Sequence, residues 1–164
     1  MTKGMCVFRQ YSLRLVKEKA GEYDAPKKIT GAQDINRVCR EVLELHEQPE
    51  EKLVCFDLNT KNVVVAIRVV SVGTINASLV HPREVFKGAL LSNAHSIIIA
   101  HNHPSGETKP SVPDDQVTKI LQAAGDLLQV KLLDHVIVGE EDYYSYREAG
   151  KLDEQTTTKT SKRR

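Results

Sequence analysis

The stretch Ser96-Ile97-Ile98-Ile99-Ala100-His101-Asn102-His103-Pro104 constrains this chain more than any other. Its first five residues are a short, β-branched, nearly all-apolar run, which reads as a strand buried on both faces of a parallel or mixed sheet covered by helices. Side chains two apart in an extended backbone point the same way, so His101 and His103 approach one point from the same side while Asn102 faces the other. Pro104 cannot donate to a ladder and ends the strand. One polar ring at the end of a buried strand reads as a satisfied core histidine. Two rings need partners for four nitrogens, and with an acid nearby metal ligation is the better reading.

That acid is Asp114. Residues 105–110 are a loop by composition, and beyond them Val117, Ile120, Leu121, Ala124, Leu127 and Leu128 fall on one helical face. Ser111 therefore sits where an N-cap belongs and Asp114 in the first turn, a place compatible with the neighbouring Pro113. Two readings compete here. Ser-x-x-Asp is a capping box, in which hydroxyl and carboxylate satisfy orphan backbone amides at the positive end of the helix dipole. Alternatively Asp114 joins His101 and His103 as the third ligand of a zinc ion that keeps its fourth position for water. Glu107, inside the loop, is the rival ligand if Asp114 is only a cap.

The pattern His101-x-His103-Pro104-x6-Ser111-x2-Asp114 resembles the JAMM motif of JAB/MPN-type zinc metalloproteases. The wording His101-Asn102-His103-Pro104-Ser105-Gly106 is similar to that of the RadC branch. Three further blocks resemble RadC segments in the right order: Gly73 to Ser78, His81 to Leu90, and Leu133 to Gly139. The resemblance covers approximately residues 31–150. It implies an α/β fold of JAB/MPN type, related to the cytidine-deaminase-like α-β-α sandwich, with a mixed sheet flanked by helices in a single domain.

The resemblance also implies a glutamate at the start of an earlier strand. The segment Glu51 to Asn59 is similar to that strand, and Glu51 matches the family's acid, with Glu50 adjacent as the alternative. Without the family, both would read as solvated charges in the run Glu47 to Lys52. The implied chemistry is hydrolysis of a peptide or isopeptide amide in a peptide or protein substrate. Zn2+ on His101, His103 and Asp114 acidifies water, Glu51 moves its proton to the leaving amine, and Ser111 donates to the oxyanion.

Two other classes compete with this reading. A DNA-associated accessory protein, suggested by the family's historical link to DNA repair, has only the basic end Lys162-Arg163-Arg164 in its support. The formal net charge of +1 gives no field that argues for nucleic acid. Full-length RadC proteins carry an N-terminal helix-hairpin-helix region associated with DNA contact, and nothing here matches it, so the chain reads as a short form. The third class is a non-catalytic MPN-like interaction domain, which arises by loss of ligands that this chain retains.

Cys6, Cys39 and Cys55 are far apart and form no Cys-x-x-Cys pair, which argues against a disulfide framework, a cysteine zinc site and the zinc deaminases. Met1 to Gln10 lacks an apolar core, and no long apolar segment follows, so a cytoplasmic protein without membrane contact is expected.

Along the chain, residues 1–30 read as a leading segment with a strand over Tyr11 to Val16, residues 31–150 as the JAB/MPN domain, and residues 151–164 as a polar, basic-ended tail expected to be disordered. Within the domain, Ala32 to His46 has helical spacing through Ile35, Val38, Val42 and Leu45. Strands are expected at Leu53 to Leu58 and Val63 to Val72, joined by the turn Asn59-Thr60-Lys61-Asn62, and near Leu132 to Val138 and Tyr143 to Tyr146. A helix is expected over Arg83 to Leu91. His135, which opens the apolar run Val136-Ile137-Val138, reads as a strand-end histidine bonded to backbone in preference to a support for the metal site. His81 reads as a cap or turn residue, and His46 and His95 as surface residues.

Overall fold

Apolar residues on the central strands alternate between two faces, and that alternation dictates where the helices lie. The computed structural model describes residues 12, 16–18, 21–73 and 80–152. Their elements are helix α1 (Ala32–Glu41), a 3-10 turn (Leu45–Glu47), strands β1 (Lys52–Leu58) and β2 (Val64–Val72), helix α2 (Pro82–Leu91), strand β3 (Ser96–Asn102), helix α3 (Val112–Leu128), and strands β4 (Lys131–Val138) and β5 (Tyr143–Ser145). The five strands form one mixed sheet in the order β2-β1-β3-β4-β5. Only the β3–β4 pair, bridged by α3, is parallel.

Strand β3 lies at the centre, and all seven of its residues are buried. Ile97 and Ile99 pack with Leu53 and Cys55 of β1 against Val85, Phe86 and Ala89 of α2 and Val117 and Leu121 of α3. Ile98 and Ala100 pack with Val54, Phe56 and Leu58 on the opposite face, against Ala32, Ile35, Val38 and Cys39 of α1. Each fully buried aliphatic side chain contributes about 1.5–3 kcal/mol. The result is an α-β-α sandwich, consistent with a JAB/MPN fold.

Most elements lie where periodicity predicts them. The β1–β2 turn is closed by Asn59, whose side-chain oxygen accepts from Lys61 N at 2.9 Å and Val63 N at 3.1 Å. One expectation is corrected. The helix expected from Ala32 to His46 ends at Glu41; Glu44 takes a left-handed conformation (φ 48°), and the separate 3-10 turn returns Leu45 to the core. A stripe of apolar residues reads the same whether the helix continues or breaks and folds back, so spacing could not reveal the break. The strand expected over Tyr11 to Val16 falls mostly outside the described residues. The tail beyond Leu152 and the block from Thr74 to Ser78 lie outside them as well.

Asp57 of β1, fully buried on the α2 and α3 side, is matched in a bidentate pair by Arg68 of β2, with Nε–Oδ2 at 3.0 Å and Nη2–Oδ1 at 2.7 Å. Ser92 Oγ donates to the same carboxylate at 2.9 Å. Planar fork-to-fork bonding is the arrangement in which a buried pair offsets its desolvation.

Candidate metal centre

Three elements converge at one end of β3. Antiparallel pairing sets Leu53 of β1 opposite His101, which brings Glu51, the residue preceding β1, alongside. The α3 N-terminus delivers Asp114 from the loop that follows His103. His101 Nε2 lies 3.0 Å from His103 Nε2, 3.3 Å from Asp114 Oδ1 and 3.8 Å from Glu51 Oε1, and His103 Nε2 lies 3.4 Å from Asp114 Oδ2. All four donor atoms fall within 4.8 Å of one another. Ligands about 2.0–2.1 Å from a tetrahedral ion stand roughly 3.3 Å apart. The His101–His103 contact and the contacts of each ring with one of the two Asp114 oxygens are close to that length, so this donor set fits a small dication; Glu51 sits farther out. His101 and Asp114 are buried, and His103 and Glu51 are partly exposed, which opens the group to solvent on one side.

Asp114 serves the helix and the cluster at once. Its Oδ2 accepts from Ser111 N at 2.7 Å and Ser111 Oγ at 2.6 Å, and Ser111 Oγ accepts in turn from Asp114 N at 3.2 Å, completing a capping box. Its Oδ1 faces His101. The two readings of Ser-x-x-Asp are therefore not exclusive, because the cap is the device that aims the carboxylate. Ser111 Oγ directs its proton at Asp114 in this arrangement. Glu107, the rival ligand, is exposed, and it is its backbone carbonyl that reaches the site, accepting from His103 Nδ1 at 2.8 Å. Glu50 is exposed, and its carbonyl accepts from Asn102 Nδ2 at 3.1 Å.

The structure corrects the reading of His135. Its ring is fully buried and bonds to side chains, with Nε2 2.8 Å from His101 Nδ1 and Nδ1 2.6 Å from Thr118 Oγ1. Tyr146 stacks on it, with centroids 4.9 Å apart and planes 7° from parallel. Thr118 and Tyr146 carry no motif that sequence reasoning could catch, although Thr118 stands one helical turn after Asp114 beside the buried Val117. His95 is exposed, as expected, and His81 is the N-cap of α2 without a side-chain cap bond.

The charges favour a cation. Burial works to raise the Asp114 carboxyl, but the neighbouring His101 and His103 rings and the Ser111 hydroxyl outweigh it and hold the group well below the usual carboxylate range. The contact with Asp114 raises His103 above the ordinary histidine value, against the effect of burial. Burial pushes His135 well below that value, so its ring is neutral. A proton and a cation thus compete for the same His103 nitrogen.

A profile of the RadC-like JAB domain matches residues 29–151. A UPF0758 protein of Chlorobaculum parvum is 50% identical over 122 residues, covering 74% of this chain and 54% of the relative. A UPF0758 protein of Methanosarcina acetivorans is 48% identical over 106 residues, covering 65% and 46%. The chain thus spans about half the length of the curated relatives it matches. Among the described residues no helix is long and apolar enough to cross a membrane. With that match over most of its length, the chain belongs to the RadC-like JAB domain family.

Proposed function

We propose that this chain is a zinc-dependent metallopeptidase-like hydrolase of peptide or isopeptide bonds. The observation that carries the reading is the His101–His103–Asp114 triangle with a second carboxylate, Glu51, beside its open side. His101 and His103 would hold the ion through their ring nitrogens and Asp114 through its carboxylate. Zinc in such a site supplies a Lewis acid for a substrate carbonyl and an acidified water. Glu51, anchored at the start of β1 by Gly73 N donating to its carbonyl at 2.8 Å, takes a proton from water and passes it to the departing amine. Ser111 Oγ turns from Asp114 toward the substrate oxyanion as charge develops there, while Ser111 N keeps its bond to the carboxylate.

The test is metal analysis of protein never exposed to chelator, together with hydrolysis of peptide and isopeptide substrates by the wild type and Glu51→Gln. Glu51→Gln should retain zinc and lose about 10²–10⁴-fold in rate, the usual worth of a general acid–base. Undiminished zinc-dependent hydrolysis in that variant removes Glu51 from the mechanism. Zinc binding without hydrolysis of any substrate in the wild type favours an interaction domain instead.

A further inference from the structure

A chain of short contacts leads from Thr118 through His135 to His101. Thr118 Oγ1 lies 2.6 Å from the Asp114 carbonyl, which can only accept, so the hydroxyl proton is directed there. With its one proton so placed, Thr118 Oγ1 can only accept from His135 Nδ1 at 2.6 Å, and that nitrogen carries the N–H. A neutral imidazole has one N–H, so His135 Nε2 bears a lone pair. The 2.8 Å contact with His101 Nδ1 then requires the proton on His101. In that tautomer Nε2 carries the lone pair and faces Asp114, His103 and Glu51.

We propose that His135, with Thr118, is a positioning residue that locks His101 in the Nδ1–H tautomer and so presents Nε2 as a ready metal ligand. The inference rests on the reading of the centre as a metal site. The path is rigid at each joint. His135 is fully buried and clamped against the Tyr146 ring, Tyr146 N donates to the His135 carbonyl at 3.0 Å, and the Tyr146 hydroxyl donates to Asp115 at 2.8 Å. His103 obtains the same orientation more simply, through the Glu107 carbonyl. For His101 the orienting acceptor is another imidazole, which takes a proton as a carbonyl does and adds no charge to the centre. Without that acceptor, the stable arrangement of His101 puts its proton on Nε2, bonded to Asp114 Oδ1, and closes the site to metal.

The experiment reads the tautomer directly in metal-free protein and the zinc affinity separately. Nitrogen-15 correlation spectra of histidine-labelled wild type, at a pH above the ordinary histidine range, should show His101 protonated at Nδ1. In His135→Phe the His101 pattern should invert to Nε2–H, and zinc affinity should fall about 10–100-fold, the usual cost of losing such a support. Thr118→Val should also weaken zinc binding, and Thr118→Ser, which keeps the hydroxyl, should restore it; this pair keeps the test intact if His135→Phe fails to fold. Wild-type His101 protonated at Nε2 overturns the inference, as does unchanged zinc affinity in both His135→Phe and Thr118→Val. A wild type that shows the expected tautomer but binds no zinc instead refutes the metal reading itself.

Discussion

Asp114→Asn separates the two jobs of one carboxylate. Its Oδ2 closes the α3 cap on Ser111 and its Oδ1 faces His101, whereas an asparagine has a single oxygen for both. If that oxygen keeps the cap, the amide nitrogen points at the bare His101 Nε2 and hydrogen-bonds the lone pair a metal needs. Zinc sites with four protein ligands are worth about 10–16 kcal/mol, so one ligand accounts for roughly 2.5–4 kcal/mol, or about 10²–10³-fold in affinity. At zinc near 100 times the wild-type Kd, binding stabilises the wild type by about 2.7 kcal/mol. In a chain of this size that raises Tm by roughly 5–11 °C. At the same zinc concentration the variant should gain under about 0.5 kcal/mol and roughly 2 °C. Ser111→Ala should do the reverse, lowering Tm of metal-free and zinc-loaded protein alike by about 2–4 °C for the loss of about 1 kcal/mol of cap, with the zinc increment retained. Thermal melts with and without zinc decide the matter. A wild-type zinc increment in Asp114→Asn refutes the assignment of Oδ1 as a ligand and leaves Asp114 as a cap alone.

Zinc affinity should fall as pH drops through the raised His103 value, because a proton and the metal compete for one nitrogen; isothermal titration across pH should show proton release on binding. In the metal-free protein the sign runs the other way. His103 is raised in the fold, so its ion pair with Asp114 stabilises fully below the ordinary value of 6.5 and fades as pH rises through the raised value, a window that denaturant unfolding of wild type beside His103→Gln should trace. Arg68→Met strands the buried Asp57 carboxylate and should cost about 3–5 kcal/mol in urea unfolding, most of it recovered by adding Asp57→Leu. Zinc content should not change, since Asp57 lies four residues along β1 from the position opposite His101, about 13 Å away.

How far the sequence disclosed this molecule depends on how local each determinant is. Strand β3 was legible because Ile97, Ile98 and Ile99 leave no polar face, and the convergence of His101, His103 and Asp114 was legible because alternation and a helix cap fix their directions within a few residues. Features set by distant pairing were not legible. Nothing near Asp57 announces Arg68, which meets it only through the β1–β2 register, and nothing in the Val38 to Leu45 stripe records the left-handed Glu44. His135 is the sharpest case. Strand β4 runs beside β3 with Leu132 opposite Ile97, and in unbroken register His135 would pair with Ala100 and face α1. A one-residue shift after Ile97 sets Asp134 opposite Ile98 and His135 opposite Ile99 instead. Side-chain direction alternates with period two, so that single slip turns His135 to the face shared by Ile99 and His101. The bulge therefore decides whether His101 finds an acceptor for its Nδ1 proton, and it does so from residues that touch none of the proposed ligands in sequence.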